Sequence, residues 1–531
     1  MSTKIHQNVS IVDFLFEAAE AWPNKPAVSF LGKTQSWLET KNRCHAAATL
    51  LSDAGVQRGH RVAYLGLNSN VCFESYYSPA FIGAVMVPIN YRLSLREMIE
   101  CVEDCEPRVL IVDENHIEQA RQLKDSCKSL QTIIFFGDEV TPNGMTSYEE
   151  GVQRIMSSGA YCELAPSKGD EIVIIFYTGG TTGRSKGVML SNINFKINTD
   201  CSVPLYRMQR HWVFLIIGPL FHLAAGSRVF SSTALGGHAV IMPKFDVAGL
   251  LDAIDRYNIN SATLVPTMYQ MILDHPRLGE FNLSSLKMLA SGAAPLSIGL
   301  LGRIVKAFPE TEFFQTYGMT EAAPILTSLD SKYQVLHGPN SHKLGSVGFP
   351  VDHIDLIIAD ESDLPLPPNS VGQILARGPN IMKGYWQMPE LTKEALKGGW
   401  FHTGDAGYLD EDGFLYLEGR VKDMIVSGGE NVYPIEVENI LENHNAIYQC
   451  AVIGIPHETW GEAVHAIVVL KKDSEVSEGE LISFCKNQIA GYKCPVSITF
   501  REEPMPLSPI NKILKTELRK PFWKGRDSSI V

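Results

Sequence analysis

No apolar run in this sequence is long enough to cross a bilayer. The most apolar stretch, Trp212 to Gly226, is interrupted by Gly218, Pro219 and His222, and a spanning helix needs ~20 consecutive apolar residues. Basic charge is also short: 46 Lys and Arg stand against 59 Asp and Glu, a net charge of −13. That balance argues against a general nucleic-acid surface, because phosphate binding asks for clustered Lys and Arg. The opening MSTKIHQNVSIVDF has no basic segment followed by an apolar core, so no secretory signal is expected. Ten cysteines occur without a compact framework, which fits free thiols in a reducing cytosol. Cys101 and Cys105 form a close pair on a helical stretch, but no second pair completes a zinc site. The closing Ser529-Ile530-Val531 is not a peroxisomal address. The expectation is a cytoplasmic protein without a transmembrane segment, with peripheral membrane contact and homo-oligomerisation left open.

What the chain does have is length and alternation. At 531 residues it exceeds the usual single domain. Ser10 with Asp13 marks a helix start and Trp22-Pro23 a stop. A helical stripe from Trp37 to Ala54 ends at Gly55, followed by strand-like Val62 to Leu67, helical Phe73 to Ala84 and strand-like Met86 to Asn90. Helical Leu95 to Val102, strand Val109 to Val112, helical Ile117 to Leu130 and strand Thr132 to Phe136 continue the pattern. Strands separated by helices predict a parallel sheet with helices on both faces. Asp360 to Gly372 reads as a loop. Beyond Pro434 come a helix at Ile435 to Asn443, strands at Cys450 to Ile455 and Ala463 to Leu470, a helix at Glu478 to Ala490 and a strand at Val496 to Phe500. The boundary is expected near Arg420 to Lys422, giving units 1–420 and 421–531.

The stretch with most chemical content is YTGGTTGRSKG, Tyr177 to Gly187, directly after the strand-like run Ile172 to Phe176. Its glycines let backbone N–H groups approach phosphate oxygens, and Lys186 and Arg184 supply charge. A P-loop would need Gly-Lys-Ser/Thr opening a helix. Here Lys186 precedes Gly187, and Val188, Met189 and Leu190 intervene before Ser191 could cap a helix. Alone, such a loop is as well read as a polar surface turn. Further blocks follow: GPLFHLAAG (Gly218 to Gly226), SGAAPLS (Ser291 to Ser297), QTYGMTE (Gln315 to Glu321), WFHTGD (Trp400 to Asp405) and GRVKDMIVSGGENVYP (Gly419 to Pro434). Each sets small residues beside a few polar ones, as a ligand-lining turn does.

The loop, Tyr317 to Glu321, Trp400 to Asp405, Arg420 to Pro434 and the late Lys512 of PLSPINKILK together resemble the AMP-forming acyl-CoA synthetases of the adenylate-forming superfamily, over about residues 10 to 520. The resemblance implies an α/β fold: a large N-terminal domain of helix-flanked sheets with a small barrel-like part, and a smaller mobile α+β C-terminal domain. It implies ATP, Mg²⁺ and coenzyme A as cofactors and a small carboxylic acid as substrate.

By the same resemblance, Thr178, Gly180, Thr181, Thr182, Gly183 and Lys186 grip the β/γ-phosphates. Gly292, Ala293, Ala294, Gln315, Thr316, Tyr317, Gly318 and Met319 fall in the nucleotide-side blocks. Thr320 contacts the α-phosphate side and Glu321 holds Mg²⁺, a hard cation suited to a carboxylate plus phosphate oxygens. Asp405 accepts the ribose hydroxyls, with Arg420 on the ribose and phosphate side. Lys512 bridges acid and nucleotide in the adenylation step, His222 lies where the carboxylate enters, Ser427, Gly428 and Gly429 line the pantetheine channel, and Lys422 is the hinge. Read singly, Glu321 could be a helix N-terminal charge, Lys512 a solvated helix face and His222 a core histidine.

Three positions depart from the family pattern: Gly179 where Ser is common, Ser185 where Pro is common, and Asn511 where Gly usually precedes the lysine. None removes a charge. Two rivals can be set beside the ligase reading. An amino-acid adenylating enzyme would place an Asp beside the acid pocket, and Phe221-His222-Leu223 offers none. An idle nucleotide-binding regulator has no reason to keep Lys186, Glu321, Asp405, Arg420 and Lys512 together. Small and apolar residues at Leu223 to Gly226 and Ser291 to Ala294 lead to the expectation of an acid with an uncharged tail: medium-chain, branched or aryl.

Overall fold

The computed structural model describes residues 8–178, 185–292, 296, 298–420, 423–427, 430–507 and 513–524. Its N-terminal part is built on two large sheets, one of eight strands and one of nine, with helices packed on them. The alternation read from the sequence is the reason. Arg61–Leu65, Val85–Pro88 and Pro107–Asp113 are neighbouring parallel strands, and the helices between them return the chain.

Local signals set most element ends. The Ser10 side chain accepts from the first turn of helix Ile11–Ala21 and Asp13 answers it in a capping box. Helix Trp37–Asp53 stops where Gly55 takes φ +80. Ser191 caps Asn192–Leu205 together with Asn194. One expected helix is divided: Phe73 to Ala84 becomes helix Asn70–Ser75 and a short 3₁₀ turn, Pro79–Ile82. Pro79 has no N–H to continue the ladder, and Gly83 at φ 70 turns the chain into the next strand. The periodicity that suggested one helix came from burial of both pieces, since Phe73, Tyr76, Tyr77 and Phe81 all enter the central core.

The barrel-like part is corrected. Asp355–Ala359, Gly372–Arg377, Phe401–Leu409 and Leu415–Arg420 form an open four-stranded antiparallel sheet. A barrel requires its first and last strands to pair; here Asp355–Ala359 and Leu415–Arg420 are the two edges. The expected loop at Asp360 to Gly372 is the hairpin connection in this sheet. The smaller C-terminal domain carries its own five-stranded sheet and a separate core around Ile425, Val437, Leu441, Val452, Val464 and Leu481. All ten cysteines are free, Cys101 and Cys105 being buried helix residues. Among the described residues no helix is long and apolar enough to cross a membrane.

One feature of the nine-stranded sheet positions the site. Val213–Ile216, Ser261–Leu264, Met288–Ser291 and Glu312–Gly318 run parallel and side by side. Their carboxyl ends therefore open on one crevice, the place where open parallel sheets receive ligands. Gly218 to His222, Ser291-Gly292 and Gly318 to Glu321 all leave the sheet there.

Candidate active site

Strand Ile172–Thr178 does not run into a helix. It turns back into Lys186–Ser191 as an antiparallel partner, with Thr178 opposite Lys186 and its hydroxyl donating to the Lys186 carbonyl at 3.5 Å. The helix begins only after this second strand, so the P-loop is excluded by topology as well as spelling. Gly187 is needed where the hairpin passes beneath Trp386: a Cβ there would lie 2.9 Å from Ile175 and 3.1 Å from Trp386. The Lys186 ammonium sits 5.2 Å from the centre of the Tyr385 ring, on a short strand paired with Lys186–Ser191. Gly180, Thr181, Thr182 and Gly183 lie outside the described residues.

Glu312–Gly318 brings the second block to the same place. The Thr316 hydroxyl donates to the Ser291 carbonyl at 3.3 Å, and a Cβ on Gly292 would come within 2.7 Å of it. The Gln315 carbonyl accepts from Ser328 at 3.3 Å. Gly318 has no room for a side chain, since a Cβ would meet the Pro324 carbonyl at 1.9 Å. Met319 packs between two core clusters, and Thr320–Ala322 is a short 3₁₀ turn. That turn is held from behind: Asn380 donates to the carbonyls of Ala322 and Ile325 at 2.7 and 3.0 Å, and the Met382 N–H to that of Glu321 at 2.8 Å. The Tyr385 phenol donates to Glu321 Oε1 at 3.0 Å. Burial, followed by the Glu321 charge and this hydrogen bond, raises the Tyr385 pKa, so the phenol stays a donor. Tyr385 thus links the hairpin's lysine to the carboxylate of the turn.

The third block is set by strand register. Asp405 and Arg420 face each other across Phe401–Leu409 and Leu415–Arg420. Arg420 Nε lies 2.6 Å from Asp405 Oδ1, and the Tyr317 phenol donates to Asp405 Oδ2 at 2.7 Å. The Tyr317 pKa is raised by burial, then by the Asp405 charge. An ionised carboxylate accepts through two oxygens, which makes Asp405 a multidentate acceptor where the two strands meet.

The loop Gly218 to His222 is suspended on Asn68 and Tyr76. Asn68 donates to the Gly218 carbonyl at 2.9 Å and accepts from the Leu220 N–H at 2.8 Å, while Tyr76 donates to the Leu220 carbonyl at 2.5 Å. His222, half-buried, packs against Phe221 with centroids 4.6 Å apart and precedes helix Leu223–Ala234. Ser427 ends a strand of the C-terminal sheet, opposite Gly461. Ala293, Ala294, Lys422, Gly428, Gly429 and Lys512 lie outside the described residues.

Sequence reasoning passed over four side chains. Asn68 and Asn380 hold loops by backbone contacts made across more than fifty residues, which no local pattern announces. Tyr385 lies in GQILARGPNIMKGYW, Gly372 to Trp386, outside the blocks singled out from the sequence. Arg228 lies two residues beyond the apolar stretch on which the uncharged-tail expectation rested, and it is buried. Among the described residues no group of three His, Cys, Asp or Glu could hold a metal ion. The Glu321 carboxylate, held by Tyr385, is of the donor type that a hard cation takes.

A parallel-sheet crevice with a lysine hairpin, a braced carboxylate and buried Tyr317 and Asp405 paired with an exposed Arg420 fits an adenylate-forming, acid-activating enzyme. Comparison with known proteins agrees. The AMP-binding enzyme model matches residues 15–386, and the AMP-binding enzyme C-terminal domain matches 436–512. The chain belongs to this AMP-binding enzyme family and is an acid–thiol ligase. It is 37% identical over 504 residues to a feruloyl-CoA synthase of Amycolatopsis sp, covering 94% of this chain and 96% of that one. It is 33% identical to an indoleacetate–CoA ligase of Aromatoleum aromaticum, covering 94% and 95%. Among solved structures, ATP-bound MatB from Rhodopseudomonas palustris superposes with a TM-score of 0.86 at 29% identity, covering 98% and 99%. The o-succinylbenzoate CoA synthetase of Bacillus subtilis with its acyl-adenylate gives 0.82 at 28%, covering 95% and 97%.

Proposed function

We propose that this protein converts a compact carboxylic acid, medium-chain, branched or aryl, to its CoA thioester through an acyl-adenylate, releasing pyrophosphate and AMP. The observation that carries the reading is the convergence of Lys186–Tyr385–Glu321 and Tyr317–Asp405–Arg420 on one crevice. Acid and ATP are both anions, so joining them requires positive charge where charge grows in the transition state. Thr178 to Lys186 take the β/γ-phosphates, and Thr320 the α-phosphate side. Glu321, held by Tyr385, would supply one carboxylate to Mg²⁺, which would help to neutralise the charge on the phosphates. Asp405 receives the ribose hydroxyls beside Arg420. Lys512 neutralises charge between acid and α-phosphate.

The second half-reaction needs a different arrangement. We place the boundary at Arg420, with 421–531 turning about Lys422 so that Ser427, Gly428 and Gly429 come to flank the pantetheine arm. Relatives acting on ferulate and indoleacetate favour an aryl acid. The test is a panel of aryl, branched and linear acids with Mg·ATP and CoA, following pyrophosphate, AMP and thioester. Pyrophosphate and AMP in equal amounts with thioester are expected. Release of ADP, or turnover faster with an amino acid than with any monocarboxylate, overturns the reading.

A further inference from the structure

Helix Leu223–Ala234 starts at His222, where the acid's reacting carboxylate is placed under the function proposed above, and its exposed Ala224 faces open space. Four residues on, and so on the same face one turn deeper, stands Arg228, only 8% exposed. The two are about 6 Å apart along the axis. Helical side chains lean toward the N-terminus, so the carbons of Arg228 lean back toward Ala224. A floor of this kind is not what an uncharged tail calls for.

Arg228 is short of partners. Among the described residues it has no hydrogen bond and no ion pair; its guanidinium lies 4.6 Å from the centre of the Tyr206 ring, and Nε is buried without an acceptor. Tyr206, fully buried at the end of helix Asn192–Leu205, also has a phenol oxygen with no hydrogen-bond partner. A guanidinium cannot shed its proton. A buried charge left uncompensated is costly, and a stacked ring offsets only part of that. Two orphaned donors, one cationic, therefore sit together behind the mouth of the acid crevice. Around them the seam between the two helices is polar: Ser202, Ser227 and Ser231 are buried there, the first and last 3.4 Å apart.

We propose that Arg228 and Tyr206 bind a second, anionic oxygen group at the far end of the substrate, and that the acid is a dicarboxylate or another acid with a distal anionic oxygen. The guanidinium pairs with that group while the phenol donates to it. From Leu223, the first helical residue, to Arg228 the axis rises ~7.5 Å, so the distal group lies between one and two turns deeper than the start of the helix. A para-disubstituted aryl acid or a mid-length linear diacid spans that depth.

The test compares matched probes in the full-length enzyme: suberate against octanoate, and 4-carboxycinnamate against 4-methylcinnamate, by pyrophosphate release. The expected result is a kcat/KM at least ~10-fold higher for the doubly anionic member, since a site built to pair a polar group rejects analogues lacking it. Arg228→Met should abolish or reverse the preference, Arg228→Lys should restore part of it, and Tyr206→Phe, which keeps the ring under the guanidinium, should lower it. Melting temperatures report whether each variant folds; if Arg228→Met does not, Tyr206→Phe and Arg228→Lys decide. Equal or faster turnover of the methyl-ended acids, or a preference unmoved by folded variants, overturns this proposal and leaves the ligase reading standing. No pyrophosphate release with any acid overturns both.

Discussion

At the scale of single residues, the site is built of side chains that are each held by something else. Glu321 is fixed through its backbone by Met382 and through its carboxylate by Tyr385. Glu321→Gln keeps an oxygen able to accept from Tyr385, so the turn should persist and the protein should melt close to wild type. In the proposed mechanism it loses the negative charge that Glu321 offers to Mg²⁺, whose help grows as charge develops in the transition state. Adenylation should slow by ~10² while ATP affinity changes little, and the deficit should deepen at limiting Mg²⁺. Single-turnover acyl-AMP formation across a Mg²⁺ titration measures this; unchanged turnover would remove Glu321 from the metal.

Elements decide where such residues meet, and here close packing can be tested directly. A Cβ on Gly226 would lie 2.1 Å from the Tyr76 hydroxyl, the group that holds the Leu220 carbonyl. Gly226→Ala should push Tyr76 off that carbonyl and loosen the loop carrying His222. The expected result is a loss of ~1–3 kcal/mol in stability and a higher KM for the acid with the KM for ATP nearly unchanged, read by melting and by steady-state kinetics. The sequence announces such elements unevenly. Ser10, Ser191 and Gly55 mark ends by chemistry that operates within a few residues, so those ends were legible. Pro79 divides the helical stretch expected from Phe73 to Ala84, so two pieces stand where one was read. The open four-stranded sheet, the Asn68 and Asn380 braces and the Arg228–Tyr206 stack depend on contacts between distant segments. Periodicity carries no trace of these.

For the whole molecule, two outcomes follow from the seam between its parts. Lys512 and Gly429 belong to one small domain but serve different half-reactions in the proposed mechanism. Lys512→Ala should cut acyl-AMP formation by ~10²–10³ and spare thioester formation from supplied acyl-AMP; Gly429→Trp should do the opposite, and Lys422→Pro, by stiffening φ, should resemble it. Equal damage to both steps would exclude domain alternation. The seam also titrates. Glu418, on the strand facing helix Pro434–Glu442, is pushed up to about 7 by burial and then by Glu436, against the pull of Lys493, which pairs with Glu436 at 2.7 Å. A carboxyl that titrates near 4.5 when unfolded and about 7 when folded keeps a proton the unfolded chain gives up. Stability should therefore fall as pH rises through that window, and Glu418→Gln should flatten the fall. Melting temperature from pH 5 to 8, as the difference between variant and wild type, checks it; Glu442, also near 7, contributes equally to both and cancels.

The Asp405 carboxylate has a consequence of a different kind. It ties Tyr317 of the nine-stranded sheet to Arg420 of the four-stranded one, so the group proposed to take the ribose also fastens two sheets together. Losing it leaves a buried phenol without its acceptor, a destabilising defect in its own right. In a living cell, a marginal loss of this size feeds proteolysis and lowers abundance several-fold. An Asp405→Ala allele should then show itself first as a faint band on a blot. A screen for intact but inactive protein would pass over the residue whose two duties cannot be inherited separately.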